Sequence, residues 1–393
     1  MVDPGSMLNL LATTSPSDRS ALNEALAAHL RAVSTPAPRG NRGLVAQIEA
    51  EVSAAPEARI RFDGAGFATL DAAGRTFEAG RFETPRLGML RERAEAAKSE
   101  GAGQLRLFVL TGRSPATDIG SLQAWAPPGS LFQVASQFNC LEAPDACIVP
   151  IADYFFDPTQ GPRASISAVP GTFIRHYAAP RGDGSRFVQV SDGSQIDLLE
   201  ELCSDGSARV TNGYLLTDHL KQRTAFARAL EERFEDIRIG LHDGVEVVFG
   251  HDWDGPVPGA PTVTVAQAFC STVAGGGYSR IDPREPAMQT ILRQLQRAAY
   301  LGTLTAAAAL GKSHAVLTLI GGGAFGNPVE IIWEAILWAT DAVRPLLHRD
   351  LCVVVNGFNL GDTLPRERLV RAATDRAGAL VEFTPTTVSV AAS

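Results

Sequence analysis

The stretch LTLIGGGAFGNPVE, from Leu317 to Glu330, runs as an apolar segment into three glycines, continues through Ala-Phe-Gly-Asn and restarts after a proline. Gly321, Gly323 and Gly326 satisfy G-x-G-x-x-G, the spacing of a nicotinamide-binding Rossmann oxidoreductase. That fold needs an acidic residue about twenty positions on, at the end of the next strand, to hold a ribose. Here the next strand candidate, Leu351 to Asn356, ends in an asparagine, and little chain follows it. The stretch reads better as a late buried strand, a wide glycine loop and a helix whose start is marked by Asn327, Pro328 and Glu330 in a capping-box arrangement. Backbone amides at a helix start form an anion site. Three successive glycines lose much chain entropy unless the backbone must approach something closely. The GKS at Gly311 to Ser313 is not a P-loop, because Ala306 stands where its first glycine is required.

Bulk properties narrow the function classes. The chain has 393 residues, a formal charge of −8, 45% hydrophobic and 20% charged residues. This is the composition of a globular protein able to bury a large core, and the acidic balance argues against a general nucleic-acid binder. Cys140, Cys147, Cys203, Cys270 and Cys352 are scattered and include no C-x-x-C pair, so neither a zinc site nor a disulfide framework is expected. MVDPGS (residues 1–6) has the look of an expression scar rather than a signal peptide. The least charged region, Ala298 to Val329, is broken by Lys312 and the glycines, so no membrane partner is expected. His176, His219, His242, His251, His314 and His348 form no ligand pattern, and GHDWDG at Gly250 to Gly255 reads as a solvated turn, so no metal is expected.

Ser15-Pro16-Ser17-Asp18 marks a helix start, with Leu22, Leu26, Leu30 and Val33 at near-helical spacing after it. A turn-rich linker, Ser34 to Gly43, precedes a second helix, and short strand-like runs occur at Arg59 to Phe62 and Phe67 to Leu70. TPRLGMLRERAEAAK then opens another helix at Thr84-Pro85. Residues 7–100 are therefore expected to be a mostly helical N-terminal extension. From Gln104, strand patterns (LRLFVL, SLFQVAS, TVTVAQAFC, AVLTLI, LCVVVN) alternate with helical ones, including Thr217 to Arg233 and Ile291 to Leu310. This predicts an α/β sheet with helices on both faces. VEFTPTTVSV would add an edge strand, and Trp333 and Trp338 should pack the helix behind the glycine loop onto the sheet.

Gly323 to Pro328 resembles the diphosphate-binding loop of macrodomains, of the type stGvyGyP. Upstream, FVLTGRSPATDIGSL resembles the macrodomain opening, a strand followed by GDIT. The resemblance implies that Asp118, beside Ile119, recognises adenine, although Thr117 replaces the glycine. SLFQVASQFNCLE resembles the buried strand aIVNAAN, which implies ligand contact for Gln133 and Asn139, with Asn139 on the distal ribose. DPTQGPRASISAVPGTFIRHY stands where macrodomains place GGGVDGAIH; Gln160 and Gly161 would line the scissile end, and only the glycine is shared in kind. FQVASQFNCLE, TQGP, NGY (Asn212 to Tyr214), QAFCS and LTLIGGGAFGN are similar to recurrent blocks of a divergent macrodomain-like family. That family includes bacterial effector-type hydrolases that remove ADP-ribose from arginine, notably on ubiquitin. Relatives of this kind carry a helix resembling LEAAYEATL, whereas this chain has LQRAAYLGTL, Leu295 to Leu304, without either acid.

The expected fold is thus an α/β, macrodomain-like three-layer α/β/α sandwich with a mixed sheet, occupying residues 101–393 with insertions, chiefly between Arg181 and Asp254. The expected ligand is ADP-ribose, with its diphosphate on Gly321, Gly322, Gly323, Ala324, Phe325, Gly326 and Asn327, and no cofactor is required. Asp157, and after it Glu142, are the carboxylates placed to activate water at the glycosidic bond. The expected activity is ADP-ribosyl hydrolysis, in the cytoplasm or in a host cytosol. The alternatives are a non-catalytic ADP-ribose reader and, on glycine spacing alone, the oxidoreductase.

Overall fold

The computed structural model describes residues 6–33, 41–97, 101–144, 147–250 and 262–391. Most of the linker after Val33, as well as His251 and the rest of the acidic turn after Gly250, lies outside these residues, as does nearly all of the N-terminal scar. The first part of the chain forms α1 (Met7–Thr13), α2 (Arg19–Val33), α3 (Asn41–Ala54), α4 (Pro56–Arg59), β1 (Ile60–Phe62), β2 (Ala68–Ala72), β3 (Arg75–Glu83) and α5 (Leu87–Ala96). Next come β4 (Leu105–Thr111), α6 (Ile119–Ala124), β5 (Ser130–Ala135), α7 (Gln160–Ser167) and α8 (Val169–Tyr177). A small hairpin, β6 (Ala179–Pro180) and β7 (Arg186–Phe187), leads to α9 (Arg223–Glu232), β8 (Gly240–Glu246) and β9 (Thr264–Cys270). The chain closes with α10 (Pro286–Ala309), β10 (His314–Leu317), α11 (Val329–Ala342), β11 (Leu351–Asn356), α12 (Leu360–Thr363), α13 (Arg366–Thr374), β12 (Leu380–Phe383) and β13 (Val388–Val390).

Eleven strands form one mixed sheet in the order β1-β2-β3-β8-β9-β5-β10-β11-β4-β12-β13. The stretch from β9 to β12 is parallel throughout. Antiparallel strands extend it at both sides, β8, β3, β2 and β1 beyond β9 and β13 beyond β12. The α/β class with a mixed sheet is therefore present, and VEFTPTTVSV supplies the β12–β13 edge. The segment 7–100, expected to be mostly helical, holds among its described residues five helices and three strands, and because β3 pairs with β8 those strands continue the main sheet.

The parallel strands are apolar on both faces, as a sheet covered twice must be; in β11 every residue from Leu351 to Val355 is buried. Helices α5, α9 and α11 pack around α10 on one side, while α6, α7, α8 and α3 pack in succession on the other. Two buried glutamines mark the two faces. Gln133 of β5 donates to the Ala299 carbonyl of α10 at 3.1 Å, and Gln267 of β9 donates to the Ala164 carbonyl of α7 at 2.9 Å. Trp333 of α11 is fully buried, as expected, whereas Trp338 of the same helix is half-buried and meets Phe234 edge-on. An early helix meets the last strand of the sheet: the Val390 amide of edge strand β13 donates to Asn23 of α2 at 2.7 Å.

Burial leaves several imidazoles neutral. His176 accepts or shares the Tyr154 hydroxyl at 2.8 Å, and burial, reinforced by nearby Arg175, pulls its pKa from 6.5 to about 3. His242 donates from Nε2 to the Ala79 carbonyl and faces Arg175 with Nδ1, and burial holds it well below 6.5 as well. A base whose pKa is depressed by folding binds fewer protons folded than unfolded. Stability is therefore complete above the unfolded value of 6.5 and drains away as pH falls toward the folded one. We expect urea unfolding to show a loss of stability between about pH 6 and pH 4 that becomes shallower by about 1.4 kcal/mol per pH unit in His176→Gln, which keeps an acceptor for Tyr154. An unchanged slope would mean that His176 is already protonated in the fold.

Candidate functional site

Open parallel sheets bind ligands outside the carboxyl ends of their strands, where neighbouring strands part. In this sheet the parting lies between β5 and β10, which pair only through Ser130–Phe132 and His314–Val316. Beyond it, side chains take over the hydrogen bonding of the main chain. Gln133 Oε1 accepts from the Thr318 amide at 3.2 Å, and its Nε2 donates to Thr303 at 2.9 Å as well as to Ala299. Gln160 accepts from the Ala135 amide at 2.9 Å and donates to the Gln133 carbonyl at 3.1 Å. Both glutamines expected at the ligand thus brace the crevice itself.

The glycine loop forms one wall. Gly321 and Gly326 have φ of +70° and +58°, a region that glycine enters without a Cβ penalty. Asn327 fixes the loop from within. Its amide donates to the Gly321 carbonyl at 2.9 Å, its Nδ2 to Val273 and Phe325 carbonyls at 2.9 and 3.1 Å, and its Oδ1 accepts from Thr272 at 3.0 Å. From α10, Tyr300 donates to the Thr318 carbonyl and accepts from the Ile320 amide, and Gln296 donates to the Ile320 carbonyl at 2.8 Å. The expected capping box is not formed: Pro328 is the N-cap of α11 without a side-chain bond, and Glu330 pairs with Arg368. Asn327 cannot cap the helix because its side chain is spent on the loop. Gly322 and Gly326 amides bond within the loop, whereas those of Gly323, Ala324 and Phe325 meet no protein acceptor among the described residues. Gly323 and Ala324 are exposed.

A second glycine triplet, Gly275 to Gly277 after β9, supports this wall and was not singled out in the sequence. The Gly275 amide donates to the Phe325 carbonyl at 3.0 Å, and a Cβ at Gly276 would lie 2.3 Å from the Ala324 carbonyl oxygen. Tyr278, from the same loop, and Tyr214, from the NGY block, enclose the Phe325 ring at centroid distances of 5.4 and 5.8 Å. The only signal for this was the G-G-G-Y spacing after a buried strand.

At the far side of the crevice, Asp118 is the N-cap of α6, accepting from the Gly120 and Ser121 amides at 3.0 and 3.3 Å. Its other oxygen accepts from Arg163 of α7 at 2.7 Å. Ile119 next to it is buried. Asn356, at the end of β11, donates to the Thr117 carbonyl at 3.0 Å, so no acid stands where a Rossmann ribose would need one. Two residues on, Phe358 is 44% exposed, with the Arg113 guanidinium 4.2 Å from its ring centre.

Past β5 the chain bends at Cys140, with φ +61°. Asn139 accepts from the Leu141 amide at 3.1 Å and donates to Gln195 at 2.9 Å, with Gly213 packed against its carboxamide. Glu142 is 3% exposed and accepts from Ser165 at 3.2 Å. A Cβ at Gly161 would lie 2.4 Å from its Oε2, so only glycine lets α7 close over this carboxyl. Burial pushes the Glu142 carboxyl well above the usual range, opposed by Arg175 and Ser165 and reinforced by nearby Asp157. Arg175 itself is fully buried, donating to Cys140, Ser165 and Thr172, with its guanidinium 3.8 Å from the Phe269 ring centre. Asp157 is half-buried at the start of α7 and accepts from the Thr159 amide at 2.9 Å. Two interacting carboxyls in contrasting surroundings are a recurrent arrangement for acid and base roles.

Aligned on the shared Ala298-Ala299-Tyr300, the acids of the LEAAYEATL helix fall at Arg297 and Leu301. Arg297 lies over Trp338 of α11, and Leu301 lines a surface pocket of about 260 Å³ with Leu87, Arg91 and Glu235. Both face away from the crevice, so acids there would not reach it. Among the described residues no group of three or more His, Cys, Asp or Glu is placed to hold a metal ion, and no helix is long and apolar enough to cross a membrane.

No protein-family model matches the chain, and no curated protein matches it. Among solved structures, it is similar to the poly(ADP-ribose) glycohydrolase of Thermomonospora curvata, with 16% identity, 86% of this chain and 100% of that chain covered, and a TM-score of 0.39. It is also similar to the poly(ADP-ribose) glycohydrolase of Deinococcus radiodurans in complex with ADP-ribose, at 13% identity, 76% and 94% coverage and a TM-score of 0.39. The apo form of the latter gives 12% identity, 75% and 91% coverage and a TM-score of 0.40.

The loop geometry separates stability from binding. Asn327→Ala should cost about 1–3 kcal/mol in denaturant unfolding, because it strands the Val273 carbonyl and Thr272 hydroxyl in the interior. Gly323→Val should change stability by less than about 0.5 kcal/mol, since nothing lies within 4 Å of the position its Cβ would take. A large loss in Gly323→Val would show that the space beside Gly323 is filled in solution.

Proposed function

We propose that the protein binds ADP-ribose across the carboxyl ends of the parallel strands and hydrolyses the bond joining it to a modified side chain. The observation that carries this reading is the wall formed by Gly321 to Asn327. The Gly323, Ala324 and Phe325 amides, ahead of the 14-residue helix α11, offer donors and a positive dipole end to a diphosphate. Asp118, at the start of α6 after β4, would take the purine, with Phe358, just past the end of β11, as a further candidate on that side. At the other end Glu142 and Asp157 flank α7, suited to the distal ribose. In the hydrolytic step the protonated Glu142 carboxyl gives its proton to the leaving side-chain atom as the anomeric bond breaks. Asp157 takes a proton from the water that forms the new bond. The acceptor suggested by the sequence resemblance is arginine, with ubiquitin as the carrier protein.

Binding without cleavage is the second reading, and the 3% exposure of Glu142 favours it, because a carboxyl sealed beneath Gly161 reaches a leaving group only if α7 shifts.

Calorimetry should show binding of ADP-ribose and little binding of NADP, and Gly323→Val should abolish the former while remaining folded. Asp118→Ala should weaken ADP-ribose by about 1–3 kcal/mol and leave ribose 5-phosphate unchanged; an equal loss for both would point to damage at α6. Release of ADP-ribose should be measured from arginine-modified ubiquitin and from serine- and glutamate-linked substrates. Asp157→Ala and Glu142→Ala should each slow release by about 10² to 10⁴ at unchanged affinity. Binding without turnover by the wild type on every linkage would establish the second reading, and full rates in both variants would remove these carboxyls from the mechanism.

A further inference from the structure

Residues 151–160, which lead into α7, carry Tyr154, Asp157 and Gln160, and the start of this segment is held by a helix from the N-terminal part of the chain. A six-residue 3-10 helix, Ile151–Phe156, opens this segment and has no side-chain cap of its own. Its first two amides are capped from outside. Glu49 of α3, 9% exposed, accepts from the Ile151 amide at 2.7 Å with Oε1 and from the Ala152 amide at 3.1 Å with Oε2. Oε1 also accepts from the Tyr177 hydroxyl at the end of α8 at 3.1 Å. Two helical turns earlier on α3, Arg42 donates to the Ala152 carbonyl and to Asp153, each at 3.1 Å, and its guanidinium lies 4.2 Å from the ring centre of Phe156. Glu49 and Arg42 stand seven residues apart, so they share one face of the helix, and Val45, Ile48 and Val52 bury the same side of it.

The far end of the segment is fixed by Gln160, which hydrogen-bonds the β5 backbone. Between these two anchors the Tyr154 hydroxyl accepts from the Glu142 amide at 2.8 Å, and Asp157 stands half-exposed one residue beyond Phe156. Contacts from α3 therefore set the position of the turn that orients both carboxyls.

We propose that α3 is a clamp built into the N-terminal part of the chain, and that Glu49, with Arg42 beside it, is a positioning residue that sets Glu142 and Asp157 against the scissile bond. The proposal rests on the hydrolase reading above and assigns the clamp no contact with substrate. A carboxylate that caps two amides and a tyrosine at once can be replaced by glutamine only in part, since the new amide group faces donors where the lost oxygen accepted. The diphosphate wall is held by α10 and the β9 loop instead, so it is independent of α3.

The test uses the full chain with Glu49→Ala, Glu49→Gln and Arg42→Ala. Hydrogen exchange of the peptides covering 147–160 and 317–330 is followed together with ADP-ribose affinity and turnover at saturating substrate. Glu49→Ala should raise exchange in 147–160 alone, leave the ADP-ribose dissociation constant within about twofold, and lower kcat by about tenfold to a hundredfold, the scale of a small misplacement of reacting groups. Glu49→Gln should recover part of kcat, and Arg42→Ala should show a milder form of the same pattern. Full kcat in Glu49→Ala overturns the proposal. So does a parallel fall in affinity and kcat with raised exchange in both peptides, the signature of general destabilisation. If the wild type shows no turnover, the hydrolase reading fails, and unchanged exchange in 147–160 of Glu49→Ala then overturns the clamp separately.

Discussion

The parting of β5 from β10 is the constraint on which the rest of the architecture turns. A parallel sheet satisfies its buried amides and carbonyls by continuing, and where two strands diverge those groups must find other partners. Gln133 and Gln160 supply them, one toward the start of the glycine loop and the other along β5. The crevice is thus a gap in the sheet whose edges are finished by carboxamides. This explains why polar side chains lie at the bottom of an otherwise apolar layer and why Thr318, Ile320 and Asn327 are held so completely. The glycine-loop wall is held by bonds to α10 and to the loop after β9, while the amides of Gly323, Ala324 and Phe325 meet no protein acceptor among the described residues.

The acid side of the crevice is organised differently. Among the described residues Arg175 pairs directly with no carboxylate and is solvated by a carbonyl, two hydroxyls, an imidazole and a ring face. Removing its neighbours would leave a buried charge uncompensated, which costs far more than the individual bonds are worth. His242 must stay neutral to accept from it, Ser165 must be a hydroxyl to join it to Glu142, and Gly161 must lack a side chain to cover that carboxyl. Three residues on α7 and β8 are therefore constrained by one guanidinium and the carboxyl joined to it through Ser165.

Much of the parallel sheet was legible because strands buried on both faces read as short apolar runs between helical patterns; LRLFVL, LCVVVN and TVTVAQAFC fall within one or two residues of the observed β4, β11 and β9. The glycine loop was legible for the same reason, with local chemistry announcing a local bend. β8 was not, since GLHDGVE spends its inward positions on His242 and is bent by a register shift between His242 and Val245, which erases the alternation a strand reader looks for. Asn327 was misread as a cap because its true partners, Val273 and Thr272, are more than fifty residues away. Glu49 is one acid in a helical run, and nothing nearby in sequence hints that its carboxylate is aimed at residues 151 and 152. The braces at Gln133 and Gln160 escaped for a similar reason: an amide near a ligand loop and an amide finishing a sheet are the same residue type.

The bond between Asn23 and Val390 joins one of the first helices to the last strand, and α1 in turn rests on β11. A nascent chain emerges from its amino end, so α2 presents Leu22, Leu26 and Leu30 long before the surface that covers them has been synthesised. Contacts spanning nearly the whole chain also close slowly, since their loop entropy is lost before the contact is gained. Completion of this fold during synthesis is accordingly gated by its final hairpin, and the apolar stripe of α2 is the segment most in need of protection until that moment.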